Sequence, residues 1–314
     1  MRILISLFVI VWSGSALFAQ SSGFQLLEIN PSARGLSISE ATTSLHDGSA
    51  SIYTNPALLV LNPTSSIDLS YTLWIADFSN VFGGYNYTNG KQAFSIAFFT
   101  QGDDEFEFRD GPGEPLGTFS TRQLSISAGY AYDFKWFSLG ASGHYLFEEL
   151  SVDRASGYAF NFGAATVLAD DRVRLGASVT NLGEMNELRN VATELPTNLR
   201  FGASVDVFEL TSTKNDDLPI LFSVFTDYVS SLDDDLETSG NQDIIDPEDF
   251  LNIGIKIRLA EVVEVSTGYR TGDTARPLSF GAAFIDDVIE FNYALVPFNT
   301  GFGTVHSIGL QYKF

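Results

Sequence analysis

The sequence has no cysteine and few basic residues, and each shortage removes a class of function. Without cysteine among its 314 residues, the chain can form no disulfide framework, no thiolate metal site and no catalytic thiol. Its 17 lysine and arginine residues are scattered and stand against 39 acids, which gives a formal net charge of -22. Nucleic acid is therefore not an expected partner, because its phosphates are bound by clustered basic residues.

The chain also lacks a long apolar run anywhere after its first 19 residues. Residues 1–19 have a positive start at Arg2, an apolar core and a small-residue end at Ala19, which is the layout of a secretory signal peptide. The apolar core is shorter than the roughly 20 residues of a spanning helix, so a membrane anchor is disfavoured. The exported chain is then either a soluble β protein or a transmembrane barrel.

Apolar and polar residues alternate along most of the chain, which is the period of a β-strand. In residues 138–147, for example, Leu139, Tyr145 and Phe147 fall on one face while Ser142 and His144 fall on the other. Most such segments have about the 9 to 11 residues that a tilted strand needs to cross a bilayer. Fourteen strands are expected, at 64–76, 79–88, 91–101, 121–134, 136–149, 157–168, 171–180, 196–208, 218–229, 250–259, 262–270, 276–285, 287–296 and 304–314.

The connections between these segments alternate between short and long. If residue 64 starts in the periplasm, every second connection should be a tight periplasmic turn. Five of the expected turns are tight, including Asn89-Gly90, a favoured hairpin dipeptide, and only the one at 209–217 is longer. The opposite set holds the long connections 101–120, 181–195 and 230–249. A soluble sandwich gives no such alternation, so the sequence predicts an all-β, antiparallel transmembrane β-barrel of the bacterial outer membrane, surrounded by lipid.

Two of the long connections are strongly acidic. Residues 101–120 hold six acids and residues 230–249 hold eight, together 14 of the 39 in the chain. Such charge runs are usually solvated loops, and the sharper alternative is binding of divalent ions or of a partner. The run Asp233-x-Asp235-x-Glu237 lacks the glycine of an EF-hand loop at its sixth position, so no metal site is assigned.

The two ends of the exported chain have distinct patterns. The last strand places Leu310, Tyr312 and Phe314 in phase, and a terminal aromatic strand is the signal that barrel-assembly machinery reads. Residues 20–63 are instead apolar without alternation and are interrupted by proline and glycine. About forty irregular residues before a barrel suggest a plug, or hatch, inside the lumen. The expected organisation is a signal peptide at 1–19, a hatch at 20–63 and a barrel at 64–314.

The hatch carries three short motifs in order. These are Pro31-Ser-Ala33-Arg34-Gly35, then Ser44-Leu-His-Asp-Gly48, then Tyr53-Thr-Asn55-Pro56-Ala-Leu-Leu59. With later matches such as Val179-Thr-Asn-Leu-Gly183 and Leu195-Pro-Thr-Asn-Leu-Arg-Phe-Gly202, they resemble the PorV/PorQ family over essentially the whole exported chain. Leu36-Ser-Ile-Ser39 departs from the glycine-rich stretch common in PorV, and the chain leans toward PorQ.

The resemblance implies a FadL-like barrel that belongs to the type IX secretion system. It implies partners among the type IX translocon, its cargo and the sortase complex, which the external loops would contact. The rival function is a FadL-like transporter of hydrophobic small molecules. A transporter should show a continuous apolar pocket beside the hatch and an opening in the wall, whereas a protein that acts by contact should show a filled lumen.

Catalysis is a third and weaker hypothesis. Ser142 and His144 lie two residues apart on one predicted strand face, as a nucleophile and a base could. No third orienting group is identifiable, so no catalytic residue is assigned and no cofactor is expected. The pair His46-Asp47 is expected to cap a turn, Gly111-Pro-Gly113 to break a loop, and Asn55-Pro56 to fix the hatch before the first strand.

Overall fold

Fourteen antiparallel strands form a closed barrel in the computed structural model, which describes residues 24–108, 117–188, 195–210, 219–232, 249–299, 301 and 303–314. Every strand pairs with its sequence neighbours, and the first pairs with the last, so the sheet has no free edge. The strands are β1 Ser66–Leu73, β2 Ser79–Thr88, β3 Gln92–Phe108, β4 Gly117–Asp133, β5 Ser138–Leu150, β6 Asp153–Leu168, β7 Val173–Met185, β8 Asn198–Leu210, β9 Ile220–Ser231, β10 Phe250–Leu259, β11 Val263–Arg270, β12 Leu278–Ile285, β13 Ile289–Pro297 and β14 Thr304–Lys313.

The expected fold class is confirmed, and each of the fourteen expected strands overlaps an observed one. The largest difference is at 101–120, which was expected to be a loop. There β3 runs on to Phe108 and β4 already begins at Gly117, with a register shift between Asp103 and Phe106. The period-2 run Glu105-Phe-Glu-Phe108 continues the strand pattern, and its high charge hid that pattern. Most of the other acidic connection, 230–249, and the residues of the expected signal peptide, 1–19, lie outside the described residues.

The outer face of the barrel is apolar. In β1, for example, Ile67, Leu69, Tyr71 and Leu73 are 43% to 51% exposed, whereas the alternate residues Ser66 to Thr72 are buried in the lumen. A barrel surrounded by lipid needs apolar residues on the outward face of its strands, which is the pattern seen here. No helix among the described residues is long and apolar enough to cross a membrane.

The two ends of the barrel differ in their connections. We call the end that carries the turns 89–91, 134–137, 169–172, 260–262 and 286–288, together with both chain ends of the barrel, the turn mouth. The other end, with connections 74–78, 151–152, 186–197, 271–277 and 298–303, is the loop mouth. In the turn at 260–262, Ala260 and Glu261 both have positive φ (52° and 60°), which fits the twist of a tight hairpin.

The core of the molecule lies inside the barrel. Residues 24–63, which we call the hatch, form one short α-helix and three 3-10 turns: α1 Ala33–Leu36, Gln25–Glu28, Ala50–Tyr53 and Pro56–Leu61. Leu26, Ile38, Ile52 and Leu58 are at most 1% exposed. Because the inward faces of the strands are polar, the hatch must satisfy hydrogen bonds as well as fill space.

Candidate functional site

The Ala33-Arg34-Gly35 motif forms the short helix that holds the hatch against the wall. The hydroxyl of Ser32 caps the helix by accepting a hydrogen bond from the Gly35 amide at 2.9 Å. A side chain at Gly35 would overlap that of Asn30, which explains the glycine. Arg34 is 9% exposed and forms ion pairs with Glu290 of β13 and, within the hatch, with Asp47 at 3.7 Å.

Asn55 links the hatch to itself and to β6. Its side-chain oxygen accepts a hydrogen bond from the Ala57 amide (3.1 Å) and so caps the turn that Pro56 begins. Its side-chain amide donates to the Thr43 carbonyl (2.9 Å) and to the Ala164 carbonyl in the wall (3.1 Å). The sequence predicted a local turn here, and the structure adds a bond between hatch and barrel.

His46 and Asp47 were expected to cap a turn, but neither side chain caps a helix or 3-10 turn of the hatch. The carboxylate of Asp47 accepts a hydrogen bond from the Ser32 hydroxyl and pairs with Arg34, so it joins two parts of the hatch. The carbonyl of His46 accepts from Arg34 at 3.5 Å, while its ring lines a cavity at the turn mouth. Burial, together with the nearby positive charges of Arg34, Arg174, Lys256 and Arg258, lowers the pKa of His46 to about 3.

This pKa predicts that acid loosens the hatch. Because the pKa of His46 in the folded state lies below 6.5, protonation favours the undocked hatch, and stability falls as the pH drops below about 6.5. Since the ring touches a cavity open to solvent, we expect a loss of about 1 kcal/mol between pH 7.5 and pH 5. Hydrogen exchange at the amides of residues 42–52 measures this loss of stability, once the rates are corrected for the pH dependence of intrinsic exchange.

Two histidine variants control this measurement. His46→Gln should flatten the dependence between pH 7.5 and pH 5, because the titrating ring is gone. His306→Gln should leave it intact, since His306 is on the outer face of β14 and its ring contacts Tyr293. If the stability of the hatch still depends on pH in His46→Gln, His46 is not the group responsible.

Ser142 and His144 are brought together, as the alternation predicted, but as part of the hatch support. Ser142 Oγ lies 3.0 Å from His144 Nε2 and donates to the Ile52 carbonyl in the hatch at 2.9 Å. His144 Nδ1 lies 2.7 Å from the hydroxyl of Ser127, where a catalytic triad would have an acid. Ser142 and His144 are 4% and 2% exposed. The hydroxyl is already engaged and shielded, so the geometry does not offer it to a substrate.

A buried ionic cluster anchors the hatch near the loop mouth. Glu40 accepts from Arg270 of β11 at 2.6 Å and from Arg276 at 3.3 Å. Burial opposes ionisation, but the neighbouring arginines outweigh it and lower the pKa of Glu40. Nearby, the Thr43 amide donates to Asp227 of β9 at 2.7 Å. Sequence reasoning missed these residues, although a charged side chain on the inward face of a strand was the available signal.

The lumen next to this cluster contains an apolar chamber. Its wall is lined by Phe82 of β2, Phe99 of β3 and Leu146 of β5, all at most 1% exposed. Tyr53 of the hatch packs edge-on against both phenylalanine rings, with centroids at 6.2 and 5.7 Å. The chamber is filled by the start of the hatch, residues Phe24–Ile29, in the same apolar cluster. The continuous empty pocket expected of a transporter is therefore not seen in the described part of the chain.

The C-terminal residues Leu310, Tyr312 and Phe314 face outward. Tyr312 and Phe314 are 44% and 56% exposed, and the Phe314 ring stacks on Tyr85 with centroids 6.1 Å apart. The Phe314 amide also donates to the Ser65 carbonyl at 3.0 Å, beside the β1–β14 seam that closes the barrel. The assembly signal stays a prediction, and its residues are placed where another protein could contact them before closure.

Among solved structures, the chain is similar to outer-membrane hydrocarbon channels. It matches the CymD monoaromatic hydrocarbon channel with a TM-score of 0.61 and 12% identity, over 93% of this chain and 99% of that one. It matches the Pseudomonas putida toluene transporter TodX with a TM-score of 0.58 and 12% identity, over 90% of this chain and 97% of that one. At this identity the likeness shows the fold, which is the expected FadL-like barrel of the outer membrane.

No protein-family model matches the chain, and no curated protein matches it. The resemblance to the PorV/PorQ family therefore rests on the sequence motifs alone, and the type IX role stays a hypothesis. The two structures compared above are described as a hydrocarbon channel and a toluene transporter.

Proposed function

We propose that this protein lets hydrophobic small molecules cross the outer membrane, and that the structure is its closed state. The observation that carries the proposal is the apolar chamber near the loop mouth, which residues Phe24–Ile29 fill as a ligand would. We call these six residues the stopper. The similarity in fold to channels described as carrying toluene and monoaromatic hydrocarbons supports the same class of substrate.

The stopper is held differently from the rest of the hatch. The Leu26 amide donates to the side chain of Gln123 at 3.0 Å, and Glu28 interacts with the positive charge of Arg276. The other contacts of the stopper include the apolar packing of Phe24, Leu26, Leu27 and Ile29. Residues 30–62 are tied by ion pairs and by many hydrogen bonds to the wall. Because apolar contact is non-directional, a hydrophobic ligand can replace the apolar side chains of the stopper, and this exchange breaks the bond between Leu26 and Gln123.

Weakening the stopper should therefore increase passage. Leu26→Asn removes a fully buried apolar side chain worth about 2 kcal/mol, so we expect faster uptake of labelled toluene. The assay needs intact cells with lipopolysaccharide, because hydrocarbons cross plain lipid vesicles unaided. Gln25→Asn is the matched control, since Gln25 is exposed in the same turn. Equal uptake in the two variants at equal surface levels would contradict the proposal.

A second candidate is the contact-based type IX role. The specific observation in its favour is the filled lumen, together with the motif resemblance. Here the hatch is a permanent part of the fold and the loops meet a translocon, cargo or sortase protein. Shortening 233–248 should then abolish co-purification of type IX components in mild detergent, while shortening 211–218 at the opposite mouth should not. Failure of any such component to co-purify with the unaltered protein contradicts this candidate.

A cross-link can separate the two candidates. Ser39 and Ser279 have their hydroxyl oxygens 2.9 Å apart, between the hatch and β12, and the chain has no native cysteine to interfere. A disulfide between Ser39→Cys and Ser279→Cys would fix the hatch. The cross-link leaves the stopper free, so uptake should continue after oxidation if only the stopper moves. If residues 30–62 must move as well, uptake should stop on oxidation and return on reduction, and in either case contact with partners should be unchanged. The single-cysteine variants are the controls.

A further inference from the structure

A cavity of about 740 Å³ opens at the turn mouth, opposite the apolar chamber. Its floor is formed by the hatch residues Arg34 and His46, and its walls by the ends of β9, β10, β13 and β14. A second cavity of about 130 Å³ lies against it and shares Arg34, His46 and Arg258. The volume is that of a small-molecule site, and the lining is charged.

Basic side chains are concentrated on this lining. Five of the 17 lysine and arginine residues of the whole chain contact one or both cavities: Arg34, Arg174, Lys256, Arg258 and Lys313. In a chain of net charge -22, such a concentration is not expected from composition. It also includes bases that are costly to bury, since Arg34 and Lys256 are 9% and 5% exposed.

The bases outnumber the acids that pair with them. Glu264 is shared by Lys256 at 3.0 Å and Arg258 at 2.9 Å. Glu290 is likewise shared by Lys313 at 3.0 Å and by Arg34. One carboxylate between two cations neutralises only one of them, so Lys256 and Arg258 keep one uncompensated charge. The second group is balanced, because Arg34 also pairs with Asp47 at 3.7 Å. The pair of Arg174 and Asp206 at 2.7 Å is balanced.

Three further acids line the cavity, but they lie at its rim and not in its buried interior. Glu261, Asp286 and Asp287 lie in turns at the rim, where they are exposed. Water and salt screen exposed charges strongly, whereas charges on the buried floor act at a lower effective dielectric. Against Glu264, Glu290, Asp206 and Asp47, the five bases therefore leave the buried interior with one excess positive charge, whereas the exposed rim carries three acids.

We propose that this cavity binds a small oxyanion, a phosphate or carboxylate group carried by a polar solute. Arginine forks and lysine ammonium groups favour those groups. The single carboxylate of Glu264 leaves hydrogen-bonding capacity on Lys256 and Arg258, and a bound anion completes the charge balance there. The site is independent of the apolar chamber, so it neither requires nor excludes passage of hydrophobic molecules.

The experiment is calorimetric titration of the full-length protein in neutral detergent at low salt. The probes are inorganic phosphate and succinate, with neutral succinamide as the matched probe of equal shape. We expect millimolar or tighter binding of at least one anion, none of succinamide, and weaker binding as salt increases. If only phosphate binds, the natural ligand carries a phosphate group. If only succinate binds, the natural ligand carries a carboxylate. Binding of neither anion, or of succinamide as well, overturns the proposal.

Variants locate the binding in the cavity. Arg258→Gln and Lys313→Gln each remove one base of a shared pair at the partly exposed end of the cavity, and each should weaken binding about tenfold, the effect of about 1.4 kcal/mol. Arg172→Gln changes an exposed arginine of the same mouth outside the cavity and should have no effect. Asp287→Asn should strengthen binding, because it removes opposing charge. Unchanged affinity in the first two variants, with folding verified by heat-modifiable gel mobility, also overturns the proposal.

Discussion

Replacing Gly140 by leucine is expected to displace the hatch while the barrel still closes. Gly140 lies on β5 and faces the lumen, where the backbone of the Pro56 turn passes directly over it. A Cβ atom at this position would lie 2.5 Å from the Ala57 amide nitrogen. Such an overlap is with backbone, so no side-chain rotation relieves it, and overpacking of this kind costs at least about 1–3 kcal/mol.

The hatch is expected to move and the wall to stay in place, because fewer hydrogen bonds hold the Pro56 turn than hold β5. The wall at Gly140 is part of a continuous ladder, with Gly140 opposite Ala131 on one side and Gly163 on the other. The Pro56 turn is held to the wall by fewer bonds, such as that of Asn55 to β6 and that of the Ser138 hydroxyl to the Ala57 carbonyl at 3.0 Å. Lifting the turn costs fewer bonds than breaking the ladder.

Hydrogen exchange and uptake measure the result. In Gly140→Leu, amides of residues 50–62 should lose at least about tenfold protection, while those of β5 stay protected. If the lumen conducts, toluene uptake should also rise. Gly143→Leu is the control on the same strand, because its Cβ faces outward and meets the Phe160 ring at an ordinary 3.5 Å. Full protection of the hatch in Gly140→Leu would mean that the turn can shift at little cost.

The barrel was predictable because lipid imposes a local pattern. Each strand must show apolar residues outward and small or polar residues inward, so a period of two is visible in segments such as 138–147 without knowledge of any partner. The short turns could also be predicted from a few neighbouring residues, as at Ala260-Glu261. The extension of β3 to Phe108 was missed because the alternating run Glu105-Phe-Glu-Phe108 is short and stands in an acidic segment, which is typical of a solvated loop.

The contacts of the hatch were not predictable for the opposite reason. Glu40 pairs with Arg270, and Thr43 with Asp227, across separations of 230 and 184 residues. No periodicity links such positions. Taken alone, each of the charged residues among them would be expected in contact with solvent. The motif residues Arg34 and Asn55 were singled out by resemblance, but their partners Glu290 and Ala164 required the register of the barrel.

Two halves of the lumen therefore have different chemistry. The half near the loop mouth holds the apolar chamber, filled by the stopper, beside the ionic cluster of Glu40. The half at the turn mouth is charged and open. The hatch separates them, and it is bound more strongly by polar contacts along residues 30–62 than at its start. Any exchange between the two halves must break some of these contacts, and Asn55 makes three of them.

Asn55→Ala should consequently be among the most damaging single changes in the hatch. It removes the cap of the Pro56 turn, worth about 1 kcal/mol. It also leaves the buried Thr43 carbonyl and part of the Ala164 carbonyl without their donors, at about 1–3 kcal/mol. We expect a total loss of about 2–4 kcal/mol in the free energy of hatch opening, measured by hydrogen exchange at residues 42–62.

Two further variants separate the parts of this effect. Asn55→Ser keeps a cap for the Ala57 amide but cannot replace both donated bonds, so it should recover only about 1 kcal/mol. Asn89→Ala removes an asparagine that also accepts two backbone bonds, from Lys91 at 3.0 Å and Gln92 at 2.9 Å, but in an exposed turn. Water replaces those bonds, so the hatch should be unaffected. If Asn55→Ser restored full protection, the cap alone would hold the turn, and the bond from hatch to wall would contribute nothing.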